Sequence, residues 1–306
     1  MRVAFAGTPT FAATILRGLM DSSHEVGLVI SQPDARRGRG RKTARPPTAE
    51  TAIEAGLPLR QPARIAEVAD EISSFDVLVV AAYGQILRPD TLYAAHHDAY
   101  NVHASLLPAY RGAAPVERAI MAGETQTGIT IMRMDEGLDT GPVALQRTCP
   151  IGPNTTGVEL TQILAEIGAK AIVEGLSLLE VQSLTLMPQD SLKATYAARL
   201  SIEDTIVRWE RGVREVHDQI RALAPRPGGR TFHVDVDGPI KILRSRIPED
   251  ELRRLEPGQI YAANRRIFVG CGQGVLEILE LQKPGARALD AAGFLLGNRL
   301  EGRFEI

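Results

Sequence analysis

Along the first half of the chain, short runs of apolar residues alternate with stretches whose apolar positions recur every three or four residues. The first kind reads as strands and the second as helices, and their alternation predicts parallel strands joined by crossover helices. Arg2 to Ala6 and Glu25 to Ile30 are strand-like, with Phe11, Ile15, Leu16 and Leu19 at helical spacing between them. Asp76 to Ala81 is apolar without alternation, as expected of a central strand covered on both faces. Further strands are predicted over Ala99 to His103, Gly128 to Met134 and Pro142 to Cys149, and a long helix over Thr155 to Leu179.

The pattern changes after Pro188. Residues 189–204 are small and polar without period, as in a linker. A helix is predicted next, with Ile206, Trp209, Val213, Val216 and Ile220 on one side. Five short strands separated by Gly, Pro and Asn turns follow, at Thr231 to Val236, Ile240 to Arg244, Gly258 to Ala262, Arg266 to Gly270 and Val275 to Leu281. Such spacing predicts a small β-barrel, of which the oligonucleotide-binding type is one candidate. The expected architecture is therefore α/β over residues 1–188, a Rossmann-like open and mostly parallel sheet, then a linker over 189–204 and an OB-like barrel domain over 205–306.

At 306 residues the chain is long enough for two separate cores. Its two cysteines, Cys149 and Cys271, suggest no disulfide framework and fit a reducing compartment. No apolar run reaches membrane-spanning length, and Val3 to Ala6 is too short for the core of a signal peptide. A soluble, cytoplasmic, monomeric protein is expected.

Charge changes the picture more than composition does. The net charge of −2 conceals a segregation. From Thr205 onward there are 17 Lys and Arg against 14 Asp and Glu, so the first 204 residues carry −5. Within those, Arg36, Arg37, Arg39, Arg41, Lys42 and Arg45 form an acid-free decapeptide. A basic arm on an acidic body points to an anionic partner met by the arm.

Candidate chemistry lies at two places. Asn101 and His103 sit two apart at the end of a predicted strand, so both side chains take the same face, where open parallel sheets place their sites. A carboxylate that could complete them lies in the run from Met134 to Pro142, where Gly137 and Gly141 allow an acid to approach a ligand closely. Taken singly, an Asn and a His at a strand end are more often structural, and an Asp in a Gly-rich turn is usually a turn former. The turn Gly7-Thr8-Pro9 lacks the later glycines of a dinucleotide fingerprint, and no cluster of His, Cys and acids has metal-ligand spacing.

The run from Asn101 to Pro115, with its His-x-Ser-Leu-Leu-Pro core, and the Asp-x-Gly-Leu-Asp-Thr-Gly run from Asp135 to Gly141 closely resemble the folate-dependent formyltransferase family. The resemblance implies catalysis by Asn101, His103 and Asp139 with 10-formyltetrahydrofolate as co-substrate and no metal. It also implies folate contacts from Ser105, Leu106, Leu107 and Pro108, with Val79 to Ala82 walling the pterin. Within the family, the opening Phe5 to Ala12, the run Ala82 to Leu87, the arm after Gln32-Pro33-Asp34 and the length of the C-terminal region are most similar to members that formylate initiator methionyl-tRNA. A formyltransferase acting on an amino sugar nucleotide is the alternative. By that resemblance Arg36, Arg37, Arg39, Arg41 and Lys42 contact tRNA, with Arg39 reaching into the acceptor stem, and the C-terminal barrel over 205–306 touches the tRNA backbone. Two positions depart from the family pattern. Tyr110 stands where Trp is frequent, and Arg226 stands between Pro225 and Pro227 where an aromatic is more usual.

Overall fold

A computed structural model of the chain describes residues 1–37, 42–249 and 254–305. Arg39 and Arg41 of the expected tRNA arm therefore lie outside the described residues. The chain forms two compact units. The first comprises Met1–Pro115, Gln126–Pro150 and Thr161–Ala197, and the second comprises Val116–Thr125, Ile151–Leu160 and Ala198–Ile306.

In chain order the elements begin β1 (Arg2–Gly7), α1 (Thr10–Met20), β2 (Glu25–Ile30), β3 (Ala35–Arg37), β4 (Lys42–Ala44), α2 (Pro47–Glu54), β5 (Leu59–Arg60) and α3 (Ala69–Ile72). They continue β6 (Val77–Ala81), α4 (Pro89–Leu92), β7 (Ala99–His103), β8 (Arg111–Gly112), α5 (Pro115–Met121), β9 (Gln126–Arg133), β10 (Val143–Pro150), α6 (Gly157–Glu180) and β11 (Tyr196–Ala197). The main sheet has the order β10-β9-β7-β6-β1-β2-β5. Strands β5, β2, β1, β6 and β7 are parallel, while β9 and β10 are antiparallel additions. This is the open, mostly parallel sheet that the alternating pattern predicts. Every residue of β6 is buried, which explains its unbroken apolar run. It also means that Val79 to Ala81 sit in the core, leaving Ala82, with φ of 44°, as the exposed residue of the expected pterin wall.

Between β2 and α2 the basic segment leaves as a two-stranded ribbon, Ala35 opposite Ala44 and Arg37 opposite Lys42. The segment expected to link the two domains is not slack. Tyr196 and Ala197 pair with Arg111 and Gly112, so residues up to 197 belong to the first unit. Asp204 is gripped by both terminal nitrogens of Arg118, each at 2.7 Å, and Arg118's hydrogen bonds hold the Asp204 carboxyl down at about 2.

The second unit continues with α7 (Val213–Leu223), β12 (Gly229–His233), β13 (Val236–Arg246), β14 (Ile260–Ala263), β15 (Arg266–Gly270), β16 (Val275–Gln282), β17 (Leu289–Asp290) and α8 (Ala291–Gly297). The helix expected from Ile206 onward starts seven residues later, at Val213. Ile206 is instead extended, only partly buried, and bridges Arg230, while Val207 and Trp209 beside it are buried in the barrel core. The strands run β12-β13-β16-β15-β14. The C-terminal tail then joins the two edges. Phe304 N donates to Gly258 O and Ile260 N to Gly302 O beside β14, while Glu305 N donates to Phe232 O of β12. Inside, Trp209 stacks on Phe304 at 5.6 Å and donates through Nε1 to Thr231. Burial of this indole satisfies its one polar group as well as its rings. Buried Arg221, paired to Asp218 at 2.7 Å, donates to the carbonyls of Gly152 and Thr155, and His217 Nε2 meets Pro153 O at 3.0 Å. These bonds explain why Ile151–Leu160 groups with the second unit. Among the described residues no helix is long and apolar enough to cross a membrane.

Candidate active site

Strand β7 is buried beneath α6. A β-carbon placed on Gly168 would stand 2.9 Å from Val102 Cγ1, so Val102 faces the helix. Its neighbours Asn101 and His103 take the opposite face by the two-residue alternation of a strand. They do so at the carboxyl end of the parallel strands, the edge at which open α/β sheets build sites. Asn101 is half-buried and makes no side-chain hydrogen bond to protein among the described residues.

Asp139 arrives from the turn after β9 and meets His103. Its Oδ2 lies 3.7 Å from His103 Nδ1, and the two side chains are 14% and 6% exposed. That separation is an ion-pair distance, longer than a hydrogen bond. The same oxygen accepts from Gly112 N at 2.8 Å. On the other side of the ring, His103 Nε2 faces Tyr110 O at 3.0 Å. The imidazole is thus held between a carbonyl and a carboxylate.

What holds the carboxylate is a second layer of polar groups. Gln189 donates to Asp139 O at 2.9 Å and to Gly141 O at 2.7 Å. Its own amide oxygen accepts from Arg111 Nε and Nη2 at 3.1 and 2.8 Å. Arg111 is itself buried, at 2% exposure, so Gln189 supplies part of the acceptor capacity a buried guanidinium requires. Thr195 fixes the facing loop by accepting from Tyr110 N at 2.8 Å. Tyr110 and Asp139 both adopt left-handed backbones, with φ of 59° and 52°. Such conformations in non-glycine residues persist where the surroundings over-determine them. Gly112, with φ of 115°, lies against β11, where a β-carbon would stand 2.8 Å from Ala197 O.

The two aspartates of the turn divide their tasks. Asp135 is consumed by the turn, accepting from Gly137 N at 3.1 Å and Thr140 Oγ1 at 2.6 Å. A side chain on Gly141 would collide with the carbonyl of Arg133, so this glycine lets the turn close tightly enough to deliver Asp139.

The four residues expected to contact folate separate into two pairs. Ser105 is fully buried, and its hydroxyl donates to Ala109 O at 2.6 Å. Leu107 is buried in a cluster with Met132 and Val143. Both shape the loop from inside, which Thr130 Oγ1 braces by accepting from Leu107 N and donating to Ser105 O. Leu106 and Pro108 are half-exposed and are the side chains of this loop open to a ligand. Two exposed apolar residues stand beyond the expected set, Ile86 at 88% and Leu138 at 61%. They follow β6 and precede Asp139, and their signal in the sequence is an apolar residue inside an otherwise polar loop. The loop after β6 is tied to its neighbours through Tyr83 O, which accepts from Thr8 Oγ1 at 2.8 Å and Gln32 Nε2 at 3.2 Å. Among the described residues no group of three His, Cys, Asp or Glu side chains gathers to hold a metal.

Comparison with known proteins covers nearly the whole chain. Residues 1–176 match the Formyl transferase family and residues 199–299 the Formyl transferase, C-terminal domain family. The methionyl-tRNA formyltransferase of Rubrobacter xylanophilus is 65% identical over 302 residues, 99% of each chain. That of Carboxydothermus hydrogenoformans is 45% identical over 304 residues, covering 98% of this chain and 97% of its own. The crystal structure of an N-formyltransferase from Helicobacter canadensis, solved with folinic acid and dTDP-3-aminofucose, aligns with a TM-score of 0.69. It covers 90% of this chain and 98% of its own at 17% identity, a likeness that speaks for the fold alone. With both halves of the chain matched in order, and with close relatives aligned from end to end, this chain belongs to the formyl transferase family.

Proposed function

We propose that this protein transfers the formyl group of 10-formyltetrahydrofolate to the amino group of methionine esterified to initiator tRNA. The observation that carries this reading is the 65% identity with the Rubrobacter methionyl-tRNA formyltransferase across 99% of both chains. The convergence of His103 and Asp139 at the sheet edge supports it from the side of chemistry. The amino-sugar alternative rests on a shared fold and has no comparable support.

The reaction joins an uncharged amine to the formyl carbon. As the new C–N bond forms, the carbonyl electrons move onto oxygen, and the intermediate collapses when the bond to the folate nitrogen breaks. One proton leaves the attacking nitrogen and one is delivered to the departing one. Such a sequence needs a donor aimed at the oxyanion, a route for the proton and exclusion of bulk water. Asn101 supplies the donor, its amide uncommitted to protein. His103 stands beside it on the same strand face. With the Asp139 carboxylate at ion-pair distance from its Nδ1, the ring both stabilises negative charge on oxygen and passes a proton onward. Asp139 orients that ring and takes up the amine proton through water. Leu106 and Pro108 contact the folate, while Ser105 and Leu107 hold their loop in shape. Arg36, Arg37, Arg39, Arg41 and Lys42 meet the tRNA, where guanidinium groups pair with phosphates and base edges. The protein acts as a monomer in the cytoplasm.

The direct test is to incubate the protein with 10-formyltetrahydrofolate and charged initiator tRNA and to look for N-formylmethionine after deacylation. Formylation of an amino sugar nucleotide in its place would reassign the substrate.

A further inference from the structure

Most cations of the barrel unit whose side chains approach an acid are matched to it. Arg246 and Arg266 both grip Glu277, at 2.6 and 2.7 Å. Arg221 grips Asp218. One group is different. Arg230 of β12 and Lys241 of β13 are direct cross-strand partners, an arrangement of like charges that destabilises a sheet. Lys241 lies along the glycine turn at the start of β12, its Cδ 3.3 Å from the place a β-carbon on Gly228 would occupy. That turn follows Pro225-Arg226-Pro227, which brings a third cation.

Among the described residues none of Arg226, Arg230 and Lys241 meets a carboxylate within ion-pair distance. The Nε of Arg230 is buried and has no hydrogen-bond partner, an unusual state for a guanidinium nitrogen. Burial pushes the Lys241 ammonium below its ordinary range, and the charges of Arg230 and Arg226 push it further the same way. An arginine cannot relieve the repulsion by losing its proton. The remaining relief is an anion with several acceptor oxygens.

We infer that Arg226, Arg230 and Lys241 form a phosphate-binding site on the β12–β13 face of the barrel. A phosphate group offers acceptors to all three cations at once, reached through the ammonium of Lys241 and the terminal guanidinium nitrogens of the arginines. Two sources present that chemistry, the backbone of a bound tRNA and a free phosphate ion. The first rests on the function proposed above.

The test uses the full chain and the variants Arg226→Ala, Lys241→Gln and the double variant, with Lys241→Arg as the charge-conserving control. Two measurements are made: initiator tRNA affinity across a salt series, and the thermal midpoint in inorganic phosphate against chloride at equal ionic strength. If the ligand is tRNA backbone, each single variant weakens tRNA binding roughly fivefold and flattens the slope of log affinity against log salt by about 0.9 for each phosphate no longer neutralised. Lys241→Arg retains both, and KM for folate does not move. If the ligand is free phosphate, phosphate raises the wild-type midpoint but not that of the double variant, with tRNA affinity unchanged. In either case Lys241→Gln raises the midpoint in phosphate-free, low-salt buffer, because a repulsion has been removed. Wild-type behaviour of the double variant in tRNA binding and in phosphate alike overturns the inference. Failure of the functional reading looks different: the wild type does not formylate methionyl-tRNA, while its response to phosphate is still readable.

Discussion

The catalytic edge of the first unit and the β12–β13 face of the second treat charge in opposite ways. At the catalytic edge Asp139 is met by Gly112 N and His103, the turn that carries it is held by Gln189, and Gln189 is anchored in turn by buried Arg111. On the barrel face Arg230 and Lys241 oppose each other, and among the described residues no acid lies within ion-pair distance of them. The difference follows from what each has to do. A site that stabilises a transient charge gains from dipoles fixed in advance. A surface that receives a ready-made anion can leave its countercharge to arrive with the partner.

The largest effects should come from removing the groups that act on the transient charge. Asn101→Ala, His103→Ala and Asp139→Ala are each expected to lower turnover about a hundredfold or more with the melting temperature little changed. Near-normal turnover in any of them would remove that residue from the mechanism. Next comes the layer behind. Gln189→Ala takes both donors from the Asp139 turn and strips acceptors from buried Arg111, a loss of roughly 1–3 kcal/mol, visible as a lower denaturation midpoint together with lower turnover. Gln189→Glu sharpens the point, since it restores an acceptor for Arg111 without a donor for the two carbonyls: stability should recover further than turnover does. On the recognition side, Arg39→Ala should raise KM for tRNA more than KM for folate, and equal shifts would argue against the arm as a tRNA contact.

The smallest effect is a pH dependence of the second unit. Burial, the largest influence on His217, holds its pKa below the ordinary value of 6.5, while the Pro153 carbonyl and Asp218 act the other way. The folded chain therefore takes up this proton less readily than the unfolded chain. Stability that is present above pH 6.5 should decline as pH falls through the depressed folded value. His217→Gln should flatten that part of a midpoint-against-pH curve, and an unchanged curve would exclude His217 as its source.

Much of this arrangement is legible in the residues themselves. The strand carrying Asn101 and His103 begins and ends where its pattern predicts, and α6 falls within two residues of its expected span at each end. The glycines at 137 and 141 mark a turn that could deliver an acid, but only the motif resemblance singles out Asp139 over Asp135 and Glu136. Gln189 and Thr195 could not be picked out, because their partners Arg111 and Tyr110 lie 78 and 85 residues away and no local period records such a meeting. They fall in a small, polar stretch that reads as a linker for the same reason. Ile206 misled in the opposite sense: apolar residues from two different elements, an extended segment and then α7, happened to fall at helical spacing. Ser105 and Leu107 show a further limit, since a motif marks a loop as functional without saying which of its side chains turn inward.

The C-terminal tail gives the barrel a history as well as a shape. Hairpin β14–β15 pairs neighbours that meet early, but the seam made by Phe304 and Glu305 joins Gly258 and Phe232, far back along the chain. Contacts of such long sequence separation form late in folding. The stacking of Trp209 on Phe304 must form with that seam, so the indole's fluorescence should report the last step of refolding, after most of the strand structure is in place.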